Sequence, residues 1–223
     1  MEVIYEDNHI IAINKKAGDL VQGDKTGDEP LPDKVKRYIK KKYNKPGDVF
    51  LGVTHRLDRP TSGVVLFART SKALTRLNEM FKAHTNTKVY WAIVEGKVEK
   101  KEATLEDYLV KTEEKNKSRV VASSHKHGKK AILSYKVKKY YDKYTGVEIN
   151  LKTGRHHQIR CQFSNMGHIL KGDVKYGARR SNNDGSIHLH ARSMSFIHPV
   201  SKEPITIVAN PPKDALWNDF PRA

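Results

Sequence analysis

Between Lys88 and Glu95 the chain sets Val89, Trp91 and Ile93 against Tyr90, Ala92 and Val94 at strand spacing, so both faces of the segment are apolar. Such a strand suits neither a sheet edge nor a one-sided sheet; it needs cover on both faces and a partner on each side. The remaining elements have to be arranged around it. Val64 to Ala68 is another short apolar run, and Val147, Ile149 and Leu151 alternate as a strand that Thr153-Gly154 breaks. Val3 to Tyr5 and His9 to Asn14 read as a hairpin around the turn sequence Glu6-Asp7-Asn8, and Ile187 to Ile197 with Ile205 to Val208 as a closing pair around His198-Pro199. Helical spacing joins Leu31, Val35, Tyr38 and Ile39. It also joins Leu74, Leu77 and Phe81 behind a Thr70 or Ser71 cap, with an end before Asn86, and Ile159, Phe163 and Met166 up to Gly167. Strands tend to follow one another rather than alternate with helices. The expected class is therefore α+β, with a mostly antiparallel central mixed sheet flanked by helices, in a single domain over residues 1–223.

Charge narrows the partner. Lys and Arg number 42 against 25 Asp and Glu, a formal net charge of +17, which points to a polyanion, with nucleic acid ahead of an anionic membrane surface. Two stretches carry much of the excess. Lys34 to Lys45 holds seven Lys/Arg in twelve residues with no acid of its own, on what reads as the outer face of an amphipathic helix. Lys111 to Lys143 holds eleven against three acids, interrupted by the turn-like Ser123-Ser124-His125-Lys126-His127-Gly128. Either stretch alone would pass for an ordinary solvated face; two together argue for a binding role. No apolar run approaches the roughly 20 residues of a membrane helix, and Met1-Glu2-Val3 lacks a signal peptide's basic and apolar regions. The expectation is a soluble cytoplasmic protein. The lone Cys161 allows no internal disulfide and no thiolate zinc site.

Three segments concentrate polar residues beside strong strand or helix signals. Thr54-His55-Arg56-Leu57-Asp58-Arg59-Pro60-Thr61-Ser62-Gly63 leads into the strand at Val64, and the flanking Arg56 and Arg59 would keep Asp58 ionised as a nucleophile or base. A turn-forming aspartate is the plain alternative. Tyr90 offers a flat ring with a polar tip that could stack on a base or pass a proton, though an aromatic in a central strand is ordinarily core. Leu151 to Arg160, followed by Gly172-Asp173 and Tyr176-Gly177, puts Arg155 and Arg160 at a helix start, an anion-binding corner for a phosphate or for a buried carboxylate such as Asp58. His156-His157 and His188-Leu189-His190 lack zinc-site spacing, and neither GxxxxGK[ST] nor GxGxxG occurs, so neither metal nor cofactor is expected.

Together these segments resemble the RluA-type pseudouridine synthase family. The resemblance rests on His55-Arg56-Leu57-Asp58 with Thr61-Ser62-Gly63, on Lys88-Val89-Tyr90 with Val94-Glu95-Gly96, on Thr153-Gly154-Arg155-His156-His157-Gln158-Ile159-Arg160, and on Gly172-Asp173 with Tyr176-Gly177. It implies a catalytic domain with an active-site cleft, in a short form without the S4-like RNA-binding domain many relatives carry. The implied reaction turns a uridine in tRNA or large-subunit rRNA into pseudouridine without any cofactor.

The resemblance also assigns residues. Asp58 would attack C1′ or take a proton from the ribose, Arg160 would hold that carboxylate, and Tyr90 would stack on the uracil and help remove the C5 proton. Because a helix hides the target base, it must be flipped out, and Arg56 would fill the gap or hold a displaced base. His55, Arg155 and Gln158 complete the substrate-binding set. Backbone phosphates would lie over Lys36, Arg37 and Lys40, or over Lys129 and Lys130. A monomer is expected, as no heptad pattern occurs. A catalytically silent RNA-binding protein of the same fold is the competing reading, and a glycosidase or nuclease a more distant one, since no second carboxylate or metal motif accompanies Asp58.

Overall fold

The computed structural model describes residues 1–23, 27–112, 114 and 116–221. In chain order the elements are β1 (Glu2–Glu6), β2 (Ile10–Lys15), α1 (Leu31–Lys42), β3 (Gly52–Val53), β4 (Ser62–Ala68), α2 (Ser71–Ala83), β5 (Thr87–Glu95), β6 (Glu102–Thr112), β7 (Lys117–Val121), β8 (Lys129–Tyr140), β9 (Tyr144–Leu151), α3 (Gln158–Asn165), β10 (Leu189–Ile197), β11 (Pro204–Val208) and α4 (Ala215–Asn218). The class is α+β with a mixed, mostly antiparallel set of strands. Two compact units emerge, one of residues 1–86 and 192–210, the other of residues 87–191 and 211–223.

In the first unit β1, β2, β4 and β10 follow in that order, with β3 on β4 and β11 on β10. β4 is buried along its whole length, and strand alternation feeds two cores from it. Val64, Leu66 and Ala68 pack with Ile10, Ala12 and the α2 residues Ala73 and Leu77. Val65 and Phe67 pack with Ile11, Ile13 and the α1 residues Leu31, Val35 and Ile39. The sheet therefore carries a helix on each face. Helix α1 is held by that three-residue apolar stripe, each side chain worth about 1.5–3 kcal/mol of burial, while Asp33 in its first turn and Lys40, Lys41 and Lys42 in its last suit the helix dipole. Thr70 caps α2, its side chain accepting from the Ala73 N–H at 3.2 Å.

In the second unit the order is β5, β9, β8, β6, β7, each pair antiparallel. Its register lines up Tyr90, Ile149 and Tyr135 across three strands, and the Tyr135 ring packs on α3 through Phe163. On the other face Trp91 and Ile93 are covered by Trp217 and Phe220 from the C-terminal segment, with Trp91 stacked on Phe220 at 4.5 Å. That cover explains why β5 is apolar on both faces. The turn expected at residues 123–128 is there, closed by Gly128 N–H to His125 O at 2.8 Å, but the strands it joins do not pair: β7 and β8 lie on opposite sides of β6. Among the described residues no helix is long and apolar enough to cross a membrane.

Candidate active site

Asp58 opens a tight turn, Asp58 O accepting from Thr61 N–H at 3.0 Å, so the plain turn reading holds for its backbone, while the residue as a whole is half-buried. Three anchors hold that turn. Leu57 packs into the core beside Val65 and Phe67. On the entry side β3 pairs with β4 only through Gly52 and Val53, after which side chains continue the ladder: Thr54 Oγ1 donates to Leu66 O at 2.5 Å, and Leu66 N–H donates to His55 Nε2 at 3.0 Å. His55, expected among the substrate-binding residues, thus has its accepting nitrogen committed to a buried backbone amide. Its contribution is to the fold of the turn. Replacing His55 by Ala orphans that N–H, which should lower stability by about 1–3 kcal/mol in urea unfolding; an unchanged midpoint would count against this.

The third anchor is Lys15, which no sequence signal marks. Its side chain is 1 % exposed, and Nζ donates to three carbonyls, Lys16 O at 3.0 Å, Arg59 O at 3.1 Å and Thr61 O at 2.7 Å. Burial pulls its pKa from the ordinary 10.5 down to about 8, opposed by the nearby charges of Asp19 and Asp58. A cation bound twice to the turn, at Arg59 O and Thr61 O, therefore sits within electrostatic reach of the Asp58 carboxylate. Of the flanking arginines, Arg56 is exposed and donates to Gln22 Oε1 at 2.5 Å, and Arg59 pairs with Asp28 at 2.5 Å.

In the second unit Tyr90 stands on β5, 8 % exposed. Arg160, on α3, is 4 % exposed and holds Asp173 through two parallel bonds, Nε to Oδ2 at 2.7 Å and Nη2 to Oδ1 at 2.8 Å. Asp173 is itself 1 % exposed, so the charges compensate each other away from water. Gly172, at φ 87°, packs against Ser186 O and Asn182 so tightly that a Cβ there would collide with both, which gives the Gly-Asp pair its physical sense.

Arg155 and Arg160 do not form one anion corner. Arg155 is exposed and donates Nε to Lys130 O at 2.9 Å, whereas Arg160 is turned inward on Asp173. Gln158, expected among the substrate-binding residues, also has structural partners. It is buried, its Oε1 accepts from Thr153 Oγ1 at 2.8 Å and Arg155 N at 3.0 Å, and its Nε2 donates to Ile132 O at 3.1 Å. Both ends of the amide are spent on holding the 153–158 loop. Cys161 is buried, which pushes its thiol up to about 11 and leaves it unreactive at neutral pH. Among the described residues no three His, Cys, Asp or Glu groups converge as a metal site would need.

The first lysine-rich stretch is less bare than its sequence. Lys34 meets Asp19 at 2.8 Å, Lys36 meets Asp33 at 3.9 Å, Arg37 meets Glu29 at 2.8 Å and Lys42 meets Glu6 at 2.7 Å. The missing acids are supplied from outside the run, and among the described residues Lys40 has no carboxylate partner. Along residues 111–143, of which Glu113 and Lys115 lie outside the described residues, Lys130 pairs with Glu106 at 2.7 Å and Lys139 with Asp219 at 2.5 Å. Lys126, Lys129, Lys136 and Arg119 have no carboxylate partner among the described residues.

Known proteins resemble this chain at two levels. The human structure titled RNA pseudouridylate synthase domain containing 4 overlays with a TM-score of 0.78, covering 99% of this chain and 89% of that one at 22% identity, so the fold is that of a pseudouridylate synthase. The model of the RNA pseudouridylate synthase family matches residues 9–165. At the sequence level, a protein named ribosomal large subunit pseudouridine synthase C from Buchnera aphidicola subsp. Schizaphis graminum is 35% identical over 98% of this chain and 69% of its own length. A tRNA pseudouridine synthase C from Vibrio parahaemolyticus is 31% identical over 99% and 93%. The chain belongs to the RNA pseudouridylate synthase family.

Proposed function

We propose that this protein isomerises a specific uridine of a tRNA or a large-subunit rRNA to pseudouridine, as a cytoplasmic monomer. The observation that carries the reading is the family match over residues 9–165, which spans Asp58, Tyr90 and Arg160. In the reaction the N1–C1′ bond of the uridine breaks, the uracil turns, C5 bonds to C1′, the C5 proton leaves and N1 gains one. Atoms balance without any donor. Asp58 either attacks C1′ or takes a proton from the ribose, and both routes use its carboxylate. Tyr90 stacks on the uracil and assists removal of the C5 proton. Arg160 supplies a fixed cation to the reaction, its guanidinium held by Asp173 and His157. Exposed Arg56 holds the flipped nucleotide or the gap it leaves.

The test is tritium release from RNA labelled at uridine C5, prepared from a strain lacking the gene. Isomerisation frees tritium and leaves the strand intact, whereas hydrolysis shortens it or removes the base. An intact strand with no tritium release would remove the proposal and leave an RNA-binding protein.

Ion pairing ranks the two basic stretches as phosphate-binding surfaces. Lys126→Glu with Lys129→Glu should weaken RNA binding more than Lys36→Glu with Arg37→Glu, because the latter pair already answers to Asp33 and Glu29. In a salt titration, every phosphate that a variant no longer neutralises lowers the slope of log K against log salt by about one. Equal slopes for both double variants would refute the ranking.

A further inference from the structure

Asp173 fixes one edge of the Arg160 guanidinium; a second device fixes another. Arg160 Nη1 lies 3.1 Å from His157 Nε2. A guanidinium only donates, so Nε2 must present its lone pair, and the imidazole is the neutral Nδ1–H tautomer. That N–H donates to Tyr176 Oη at 3.0 Å, and the same oxygen accepts the Ser118 N–H at 2.8 Å. Tyr176 meets the arginine again through its ring, with Arg160 Cζ 5.1 Å from the centroid. Burial raises the Tyr176 phenol well above its ordinary range, so it stays protonated.

The backbone gives an independent sign. His157 sits at φ 50°, ψ 29°, in the left-handed region, at the position just before α3 begins. Gly or Asn would take that conformation with less strain. A histidine held there is kept for its ring, since nothing in the helix start requires an imidazole. His156 stacks on it at 3.8 Å, and its Nδ1 lies 2.9 Å from Ser118 Oγ, so both rings are pinned to β7.

We propose that His157 is a positioning residue for the isomerisation: as a neutral acceptor it fixes the rotation of the Arg160 guanidinium and ties it, through Tyr176, to the backbone of β7. The inference rests on the assignment of Arg160 to the reaction. It adds that the arginine is held at two edges, so that its guanidinium keeps one orientation. Without His157 the guanidinium can still grip Asp173 but tilts about that edge.

The experiment compares His157→Asn and His157→Gln by steady-state pseudouridine formation, with Arg160→Lys as reference and thermal unfolding alongside. Asn tolerates the left-handed backbone but is too short to reach Nη1; the Gln amide oxygen extends to about where Nε2 lies. His157→Asn should lose roughly 10–100-fold in kcat, with KM within about twofold, as expected for a misplaced catalytic group. His157→Gln should recover to within about threefold of the wild-type kcat, by restoring the acceptor. Equal losses in the two variants with a lowered melting temperature would mean a purely structural role and overturn the inference. Wild-type kcat in both, while Arg160→Lys is inactive, would overturn it and leave the assignment of Arg160 standing. Full activity of Arg160→Lys would instead overturn that assignment and this inference with it.

Discussion

Asp58→Asn should lose pseudouridine formation by roughly 10⁴-fold or more, the scale seen when a single member of a catalytic set is removed, with the protein still folded and RNA affinity close to wild type. The change replaces one carboxylate oxygen by NH₂ and keeps the shape, so the question is whether the surrounding fold leans on the charge. The turn is closed by backbone, Thr61 N–H to Asp58 O. Its anchors are the apolar side chain of Leu57, the His55 bond to Leu66 N and the three bonds from Lys15, none of which ends on the Asp58 carboxylate. The attraction between Lys15 and Asp58 goes with the charge, but it is a minor influence beside burial in setting the state of that lysine. Chemistry loses its nucleophile or base outright. Single-turnover tritium release measures the loss, and filter binding with thermal unfolding measures what is kept. A residual rate within tenfold of wild type would remove Asp58 from the reaction.

Much of this could be seen in the chain itself, and what could not shares a physical reason. Alternation marks β5 as central, an apolar run marks β4, and the Thr70 cap, the helical spacing of α1 and the Gly167 stop all act within a few residues. The site's supports act at long range. Lys15 ends a β-strand, where a lysine ordinarily turns to solvent; two of its three acceptors come only with the return of the Asp58–Thr61 turn, more than forty residues later. Asp173 stands in a visible motif, but its role needs α3 and the 172–176 turn brought together so that residues 160 and 173 close into one ion pair. His55 and Gln158 have structural partners hidden for the matching reason: a polar side chain in a motif looks available for substrate, and only the fold discloses its bonds to Leu66, or to Thr153, Arg155 and Ile132. The bare look of residues 34–45 fails similarly, since Glu6, Asp19 and Glu29, which neutralise much of it, lie upstream and reach it only through the fold.

Lys15→Met is the sharpest test of how the Asp58 turn is held, because two large effects oppose each other. Met fills a similar volume without charge, which removes the penalty of burying an ammonium; a pKa drawn from 10.5 to about 8 corresponds to about 3 kcal/mol. Against this stand three hydrogen bonds from a charged donor, each worth about 1.5–3 kcal/mol, and the desolvated carbonyls they leave behind. Arg59 O keeps the Gly18 N–H at 2.8 Å and Lys16 O keeps the Asp19 N–H at 3.3 Å, so the orphaned acceptor is Thr61 O. The losses prevail, and the variant should be less stable at pH 7 by about 2–4 kcal/mol. The sign with pH follows from linkage. A lysine whose folded pKa is depressed carries its penalty in full below about pH 8, and sheds it as pH rises toward 10.5, where the unfolded chain also gives up its proton. Wild type should therefore gain on Lys15→Met between pH 8 and 10.5, by up to about 3 kcal/mol. Urea unfolding of both proteins at about pH 7 and about pH 10 measures the gap. Since the same bonds present Asp58, kcat should fall about 10–100-fold at pH 7 with KM little changed. A variant with wild-type stability and kcat would show that Leu57 and His55 suffice to hold the turn, and that the buried charge serves neither fold nor reaction.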